Sequence, residues 1–127
     1  MPTTSTRQTM SQQRAAAAWG ATPETVSKEY LTVVRGAAAT ILISGLGQAT
    51  AFWLAKGTDA HTRVADALGA WLLRDASDTA GAQDLLSHIR ACDSGSYRRL
   101  TQEALAYLAW LKRFADARKS AAPDSDA

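Results

Sequence analysis

Apolar side chains recur along this chain every three or four residues, which is the spacing of an amphipathic α-helix. The clearest example runs from Tyr97 to Lys119, a stretch without glycine or proline and rich in residues that favour helix. At about 100° per residue, its apolar side chains fall on one face: Tyr97, Leu100, Ala104, Tyr107, Leu108, Leu111, Phe114 and Ala115. One helix cannot bury that face by itself, so the preceding segments are expected to cover it.

Five shorter helical segments precede this long one. Gly20 is expected to end the first, Thr22 and Pro23 to begin the second, and Ser44 to cap the third. The third segment is apolar nearly all round, which indicates a central buried helix closed by Gly57. The predicted helices are about 8–19, 23–43, 45–56, 61–74, 82–92 and 97–119. No segment alternates apolar and polar residues as a strand would.

The expected fold is therefore all-α, a single compact bundle of about six helices with a long C-terminal helix. The 127 residues suit one domain, with an ordered core at about 8–119 and flexible ends at 1–7 and 120–127. The single cysteine, Cys92, excludes an intramolecular disulfide and fits a reducing cytosol. Residues 1–13 lack the apolar segment of a signal peptide, and the run at 37–43 is shorter than the roughly 20 residues of a membrane span. We expect a cytoplasmic protein without membrane contact.

Charge is distributed unevenly. The net charge is +2, yet the stretch 94–119 alone carries six basic and two acidic side chains. A basic helix face of this kind can meet phosphate groups, or it can simply be solvated. Charge alone leaves both interpretations open.

Candidate catalytic and metal-binding groups are few. His88 and Cys92 lie four residues apart on the fifth predicted helix, one turn after Asp84. A single row of side chains on one helix surrounds a metal ion poorly, and no partner is evident to orient a nucleophilic thiol. The segment Gly45–Gln48 resembles half of a phosphate-binding fingerprint, but no strand precedes it, and its glycines also suit a close helix crossing. We therefore expect no catalytic residue, no metal and no cofactor.

Tryptophan is expected mainly in the core, at Trp19, Trp53 and Trp71. Trp110 is different because it lies on the flank of the long helix, near Arg99 and Glu103. A tryptophan beside arginine can stack a base, anchor a partner protein or pack against a neighbouring helix.

Two segments together resemble a known family. Ser44–Lys56 (SGLGQATAFWLAK) is similar to the Gly-Leu-Gly-Gln-Ala-x-Ala-Phe segment of the small α-helical subunit of type III-B CRISPR effector complexes, the fifth Cmr subunit. Tyr97–Ala115 (YRRLTQEALAYLAWLKRFA) is similar to the terminal helix of that subunit. The resemblance covers essentially 8–119 and agrees in order and spacing.

The resemblance implies a compact all-α bundle and a non-catalytic subunit of an RNA-guided antiviral complex. Its implied partners are the other Cmr/RAMP subunits, especially the backbone subunit, together with further copies of itself in a minor filament. A basic face towards the crRNA and target RNA is implied as well. The residues implied to contact RNA are Arg98, Arg99, Lys112, Arg113 and Lys56, with Arg14 and Arg35 as second choices. Gln48 and Trp110 are the expected protein-interface residues.

Two other function classes remain open at this stage. A helical DNA-binding regulator would need a helix-turn-helix, and the polar loop 75–81 is long for that turn. An enzyme would have to use His88 and Cys92.

Overall fold

The computed structural model describes residues 7–121. These residues form six α-helices and no strand: α1 (Met10–Ala21), α2 (Lys28–Ser44), α3 (Leu46–Lys56), α4 (Asp59–Leu72), α5 (Ala82–Ala91) and α6 (Ser94–Ala121). The predicted all-α bundle with a long last helix is confirmed. The residues 1–6 and 122–127, which were expected to be flexible, lie outside the described residues, while Ser120 and Ala121 belong to α6. Within 7–121, no helix combines the length and apolarity needed to cross a membrane.

The long helix α6 packs mainly against α1 and α2. Its predicted inner face is confirmed, with Tyr97, Leu100 and Phe114 half-buried at the edges. The fully buried side chains are Ala104, Tyr107, Leu108, Leu111 and Ala115. Burial raises the pKa of Tyr107, and it raises the pKa of Tyr30 on α2 to about 12, so both phenols are neutral members of the core.

The central helix is α4, which touches each of the other five helices. The prediction of α3 as the central buried helix is wrong, although Trp53 is buried. Helices α2, α4 and α5 cover only one side of α3, so Phe52 on its other side is 48% exposed. Apolar residues all round a helix therefore indicated an uncovered surface here and not a second buried face.

A glycine sets the closest approach between α4 and the segment that leads into α5. A Cβ added at Gly69 would lie 2.2 Å from the carbonyl oxygen of Gly81. The neighbouring N–H of Ala82 donates to Oδ1 of Asp66 at 2.9 Å, which ties the start of α5 to α4. Only glycine fits at position 69 without moving this backbone.

The predicted start of α2 is wrong. Thr22 ends α1, because its N–H and its hydroxyl both donate to the carbonyl of Ala18, at 3.0 and 2.7 Å. Gly20 lies inside α1. Helix α2 begins after Ser27, whose hydroxyl accepts the N–H of Tyr30 at 3.0 Å. Both Thr22 and Ser27 are residue types that cap helices, and the tertiary packing selects the second.

The junction of α2 and α3 also differs from the prediction. Ser44 is the last residue of α2, and Gly45, with φ of 87°, makes the turn and takes the N-cap position of α3. The predicted end of α3 at Lys56 and Gly57 is confirmed, with Gly57 left-handed at φ 67°. The expected cap of α6 is confirmed too: Oδ1 of Asp93 accepts the N–H of Ser96 at 2.7 Å, and this bond holds the pKa of Asp93 below its usual range.

Candidate nucleic-acid interface

The back of α6, opposite its buried face, carries three exposed basic side chains: Arg98, Lys112 and Arg113. We call these three residues the basic strip. None of them has a hydrogen-bond or ion-pair partner within residues 7–121. Arg98 and Lys112 stand about 21 Å apart along the helix at 1.5 Å per residue. The strip is thus an elongated, unneutralised positive surface on a rigid element.

Arg99 lies beside the strip, on the flank of the first turns of α6. Its Nη2 donates to Oγ of Ser96 at 3.1 Å, and its charge helps to lower the pKa of Asp93 after the bonds from Ser96. Arg99 is exposed, but part of its donor capacity and of its charge is used locally.

Arg14 is engaged within the bundle. Its guanidinium forms a two-pronged ion pair with Glu103 of α6, in which Nη2 donates to Oε1 at 2.9 Å. Nε1 of Trp71 on α4 donates to the same carboxylate at 2.9 Å. The bond from Arg14, and then the one from Trp71, lower the pKa of Glu103, while Glu103 raises the pKa of Arg14. This node joins α1, α4 and α6.

Arg35 and Lys56 lie away from the basic strip. Arg35 of α2 pairs with Asp116 of α6 at 2.8 Å, so its charge is partly neutralised at the helix interface. Lys56 is at the end of α3, with Nζ 5.7 Å from the centre of the Phe52 ring. Of the seven basic residues implied by the family resemblance, the structure brings together only Arg98, Lys112 and Arg113, with Arg99 adjacent.

The two sequence motifs that carry the resemblance meet in space. The N–H of Gly47, in the Gly-Leu-Gly-Gln segment, donates to the hydroxyl oxygen of Tyr97 at 3.0 Å. A Cβ at Gly45 would lie 3.2 Å from that hydroxyl, and one at Gly47 would lie 3.4 Å from Ile89 of α5. The glycines thus admit Tyr97 and α5 close to the start of α3. Because the N–H of Gly47 is already bonded, the structure favours the packing interpretation of this motif over an anion site.

A second exposed surface is apolar. Leu42, Ile43 and Phe52 are 71%, 85% and 48% exposed, and we call these three residues the apolar patch. A groove of about 350 Å³ passes through it, lined by Thr40, Ile43, Ser44, Gln48, Ala49 and Phe52. No charged side chain lines this groove. Gln48, predicted from the resemblance as an interface residue, is exposed on its rim.

The sequence analysis did not single out the apolar patch, although a signal was present. Three successive residues, Ile41, Leu42 and Ile43, cannot share one helix face, since each is turned by about 100° from the last. With Ile41 buried, the other two had to point outward.

The tryptophans divide into two groups. Trp53 and Trp71 are buried as predicted, but Trp19 is 47% exposed, so its assignment to the core is wrong. Trp110 is half-buried and stacks on Phe114, with ring centres 5.5 Å apart. Phe114 in turn meets Trp19 edge-on at 5.1 Å, so α1 and α6 share an aromatic cluster at the surface.

The His88 and Cys92 pair shows no nucleophilic arrangement. His88 is exposed, whereas Cys92 is half-buried at the end of α5 with its sulfur 3.7 Å from the carbonyl oxygen of Ile89. The two side chains do not hydrogen-bond to each other. Across residues 7–121, no group of three histidine, cysteine, aspartate or glutamate side chains converges as a metal site would require.

Comparison with known proteins identifies the family. The family model described as CRISPR-associated protein (Cas_Cmr5) matches residues 10–118, which is most of the described bundle. The chain belongs to the Cmr5 family. This membership confirms the resemblance of the Gly-Leu-Gly-Gln segment and the terminal helix to the fifth Cmr subunit.

Two Cmr5 relatives from Thermus thermophilus agree with this assignment. The CRISPR system Cmr subunit Cmr5 is 38% identical over 78 residues, which cover 58% of this chain and 60% of that relative. The crystal structure of a CRISPR-associated Cmr5 family protein is 30% identical, covers 87% of this chain and 97% of the other, and superposes with a TM-score of 0.73. The bundle described above is thus also the fold of a Cmr5 protein solved by crystallography.

Proposed function

We propose that this Cmr5 protein is a non-catalytic, RNA-facing subunit of a cytoplasmic type III-B CRISPR effector complex. In this proposal it stacks beside the backbone subunits and supports binding of the crRNA and its target RNA. The observation that carries the RNA-facing role is the basic strip, since three cationic side chains point away from the core and no acidic partner within residues 7–121 neutralises them.

The geometry of the strip suits phosphates better than base edges. Its side chains lie along a line of about 21 Å, long enough to meet several phosphates of one strand. Contacts to phosphates fix the position of a nucleic acid and carry no sequence information directly. A subunit with such a surface suits a complex in which the guide reads the sequence, and it needs no base-specific residue of its own.

The other basic residues follow in a physical order. Arg99 stands next to the strip and is our next choice, whereas Lys56 would contact RNA only along a separate path on α3. Arg14 and Arg35 remain the last choices, because Glu103 and Asp116 already neutralise them. Their proposed replacement by phosphate would have to break contacts that hold α6 to α1 and α2.

The apolar patch is the proposed contact to a neighbouring protein subunit. Exposed large apolar groups that lie together mark interaction surfaces in otherwise polar proteins. The groove beside the patch has no charged lining, so it suits a protein side chain better than a nucleic acid. Gln48 on its rim can add a hydrogen bond to the partner. Trp110 stays a proposed interface residue on the other side of the bundle.

The experiment that tests the RNA-facing role is RNA binding by an Arg98→Gln/Arg113→Gln variant. Binding of a single-stranded RNA is measured by fluorescence anisotropy across a salt series. Since each lost phosphate contact lowers the slope of log affinity against log salt by about 0.7, we expect weaker binding and a slope reduced by about 1.4.

The matched control is Arg63→Gln, which removes an exposed arginine that is paired with Asp59 on α4 and lies outside the strip. This variant should bind RNA as the wild type does. The same variants are then assembled into the complex, and retention of target RNA is measured. Unchanged salt dependence and unchanged retention for the double variant would count against the basic strip as the RNA-facing surface.

A further inference from the structure

The exposed indole of Trp19 sits in an unusual electrostatic setting at the surface. Its ring is 47% exposed, although it lies on a helix that packs against α6. The guanidinium carbon of Arg118 stands 3.8 Å from the ring centre, and Phe114 meets the ring edge-on at 5.1 Å. Both contacts come from α6. An exposed fraction of nearly one half is what remains when one side of an aromatic ring is covered and the other is open.

Arg118 is held firmly in this position. Its Nη1 donates to the carbonyl oxygens of Thr22 and Pro23, the latter at 3.1 Å. Carbonyl acceptors fix the guanidinium but do not neutralise it, so a full positive charge remains beside the indole. The ring is therefore a rigid, preorganised surface, and little conformational freedom would be lost when a ligand stacks on it.

The charge around Trp19 distinguishes it from the apolar patch. Arg113 and Lys112 of the basic strip precede Phe114 directly on α6, so cationic side chains approach the aromatic cluster from the same turn. The groove at the apolar patch has no charged lining. An aromatic face beside unneutralised arginine and lysine is the combination that binds single-stranded nucleic acid, through base stacking together with phosphate contacts.

We infer that the open face of Trp19 is a stacking site for an unpaired nucleobase of RNA whose phosphates lie on the basic strip. This inference rests on the proposed RNA-facing function and adds to it a contact with bases that does not depend on sequence. Arg118 is a positioning residue in this site, because it touches the indole and holds it in place.

The test compares two ligands of equal charge: a short oligouridylate and an abasic ribose-phosphate oligomer of the same length. The full chain should bind the base-bearing oligomer about tenfold more tightly, in line with the stacking of one base. Trp19→Leu should abolish this preference while its affinity for the abasic oligomer stays the same, and Trp19→Phe should keep part of the preference. Since stacking is not ionic, the preference should persist as salt is raised.

The matched control is Phe52→Leu, because Phe52 is 48% exposed but stands on the apolar patch. It should leave the base preference intact. Thermal melting of Trp19→Leu checks that the bundle still folds, and Trp19→Phe keeps the test decisive if the leucine variant does not.

Three results would overturn the inference. Equal binding of both oligomers by the wild type would refute base stacking and leave the basic strip standing. Equal loss of affinity for both oligomers in Trp19→Leu would show that Trp19 only shapes the strip. An intact base preference in Trp19→Leu, combined with failure to assemble into the complex, would make Trp19 a protein anchor. Absence of binding to either oligomer at low salt would refute the proposed function itself.

Discussion

The carboxylate of Glu103 is predicted to be the main electrostatic link between three helices. It accepts hydrogen bonds from Arg14 on α1 and from Trp71 on α4, while it is itself carried by α6. The perturbation is Glu103→Gln, which keeps the shape and one oxygen acceptor but removes the negative charge. The residual amide oxygen can serve either Trp71 or Arg14 fully, but it cannot reproduce the two-pronged pair.

The expected loss lies between the limits for surface and buried ion pairs. Exposed pairs contribute about 0–1 kcal/mol, and a hydrogen bond to a charged group contributes about 1.5–3 kcal/mol. The side chains of Arg14 and Glu103 are 23% and 21% exposed, so solvent still screens the pair in part. We therefore expect a loss of about 1–2 kcal/mol in the free energy of unfolding, or a fall in Tm of about 4–8 °C.

The pH dependence gives this prediction its specific signature. Since the bonds from Arg14 and Trp71 lower the pKa of Glu103 below its ordinary value of 4.5 in the folded state, the carboxylate stabilises the fold above that pH. The stabilisation is lost as the pH falls through the lowered folded-state pKa. The difference between wild type and Glu103→Gln should be full at pH 7 and should shrink steadily below about pH 4.5.

The assay is urea unfolding followed by circular dichroism at pH 7 and at several acidic pH values. The matched control is Asp59→Asn, which breaks the exposed pair with Arg63 within α4 and should cost at most about 0.5 kcal/mol. A double-mutant cycle with Arg14→Gln should give a coupling energy of about 1 kcal/mol. The reasoning is refuted if Glu103→Gln unfolds like the wild type at pH 7, or if its deficit is independent of pH.

Three further predictions concern stability and use the same urea assay. Gly69→Ala should cost about 1–3 kcal/mol, because the added methyl group would meet the carbonyl oxygen of Gly81 at 2.2 Å; an unchanged midpoint would mean that this backbone yields easily. Tyr97→Phe should cost about 1 kcal/mol, since the N–H of Gly47 loses its acceptor at 3.0 Å; a neutral result would indicate that water replaces it. Leu111→Ala should cost about 2–5 kcal/mol at a side chain that is 0% exposed, and a loss below about 1 kcal/mol would contradict its central place in the core.

Recognition of the family depended on local sequence, whereas the layout of the candidate site depended on the fold. The basic strip was within reach of sequence analysis, because Arg98, Lys112 and Arg113 occupy the back of a helix whose inner face was evident from periodicity. The ion pairs of Arg14 and Arg35 were not within reach, since their partners lie 89 and 81 residues away. Nothing in local spacing states which of two basic side chains will find a carboxylate on another helix.

The sequence by itself determined the six helices, the inner face of α6 and the family, because helix formation and amphipathic periodicity are local properties. The tertiary structure alone decided which of two capping residues begins α2, that α4 and not α3 is central, and that Trp19 and Phe52 remain at the surface. It also decided that Gly47 and Tyr97 meet, which explains why the two recognisable motifs occur together. These features depend on how helices pack, and packing is set by contacts between residues far apart in the chain.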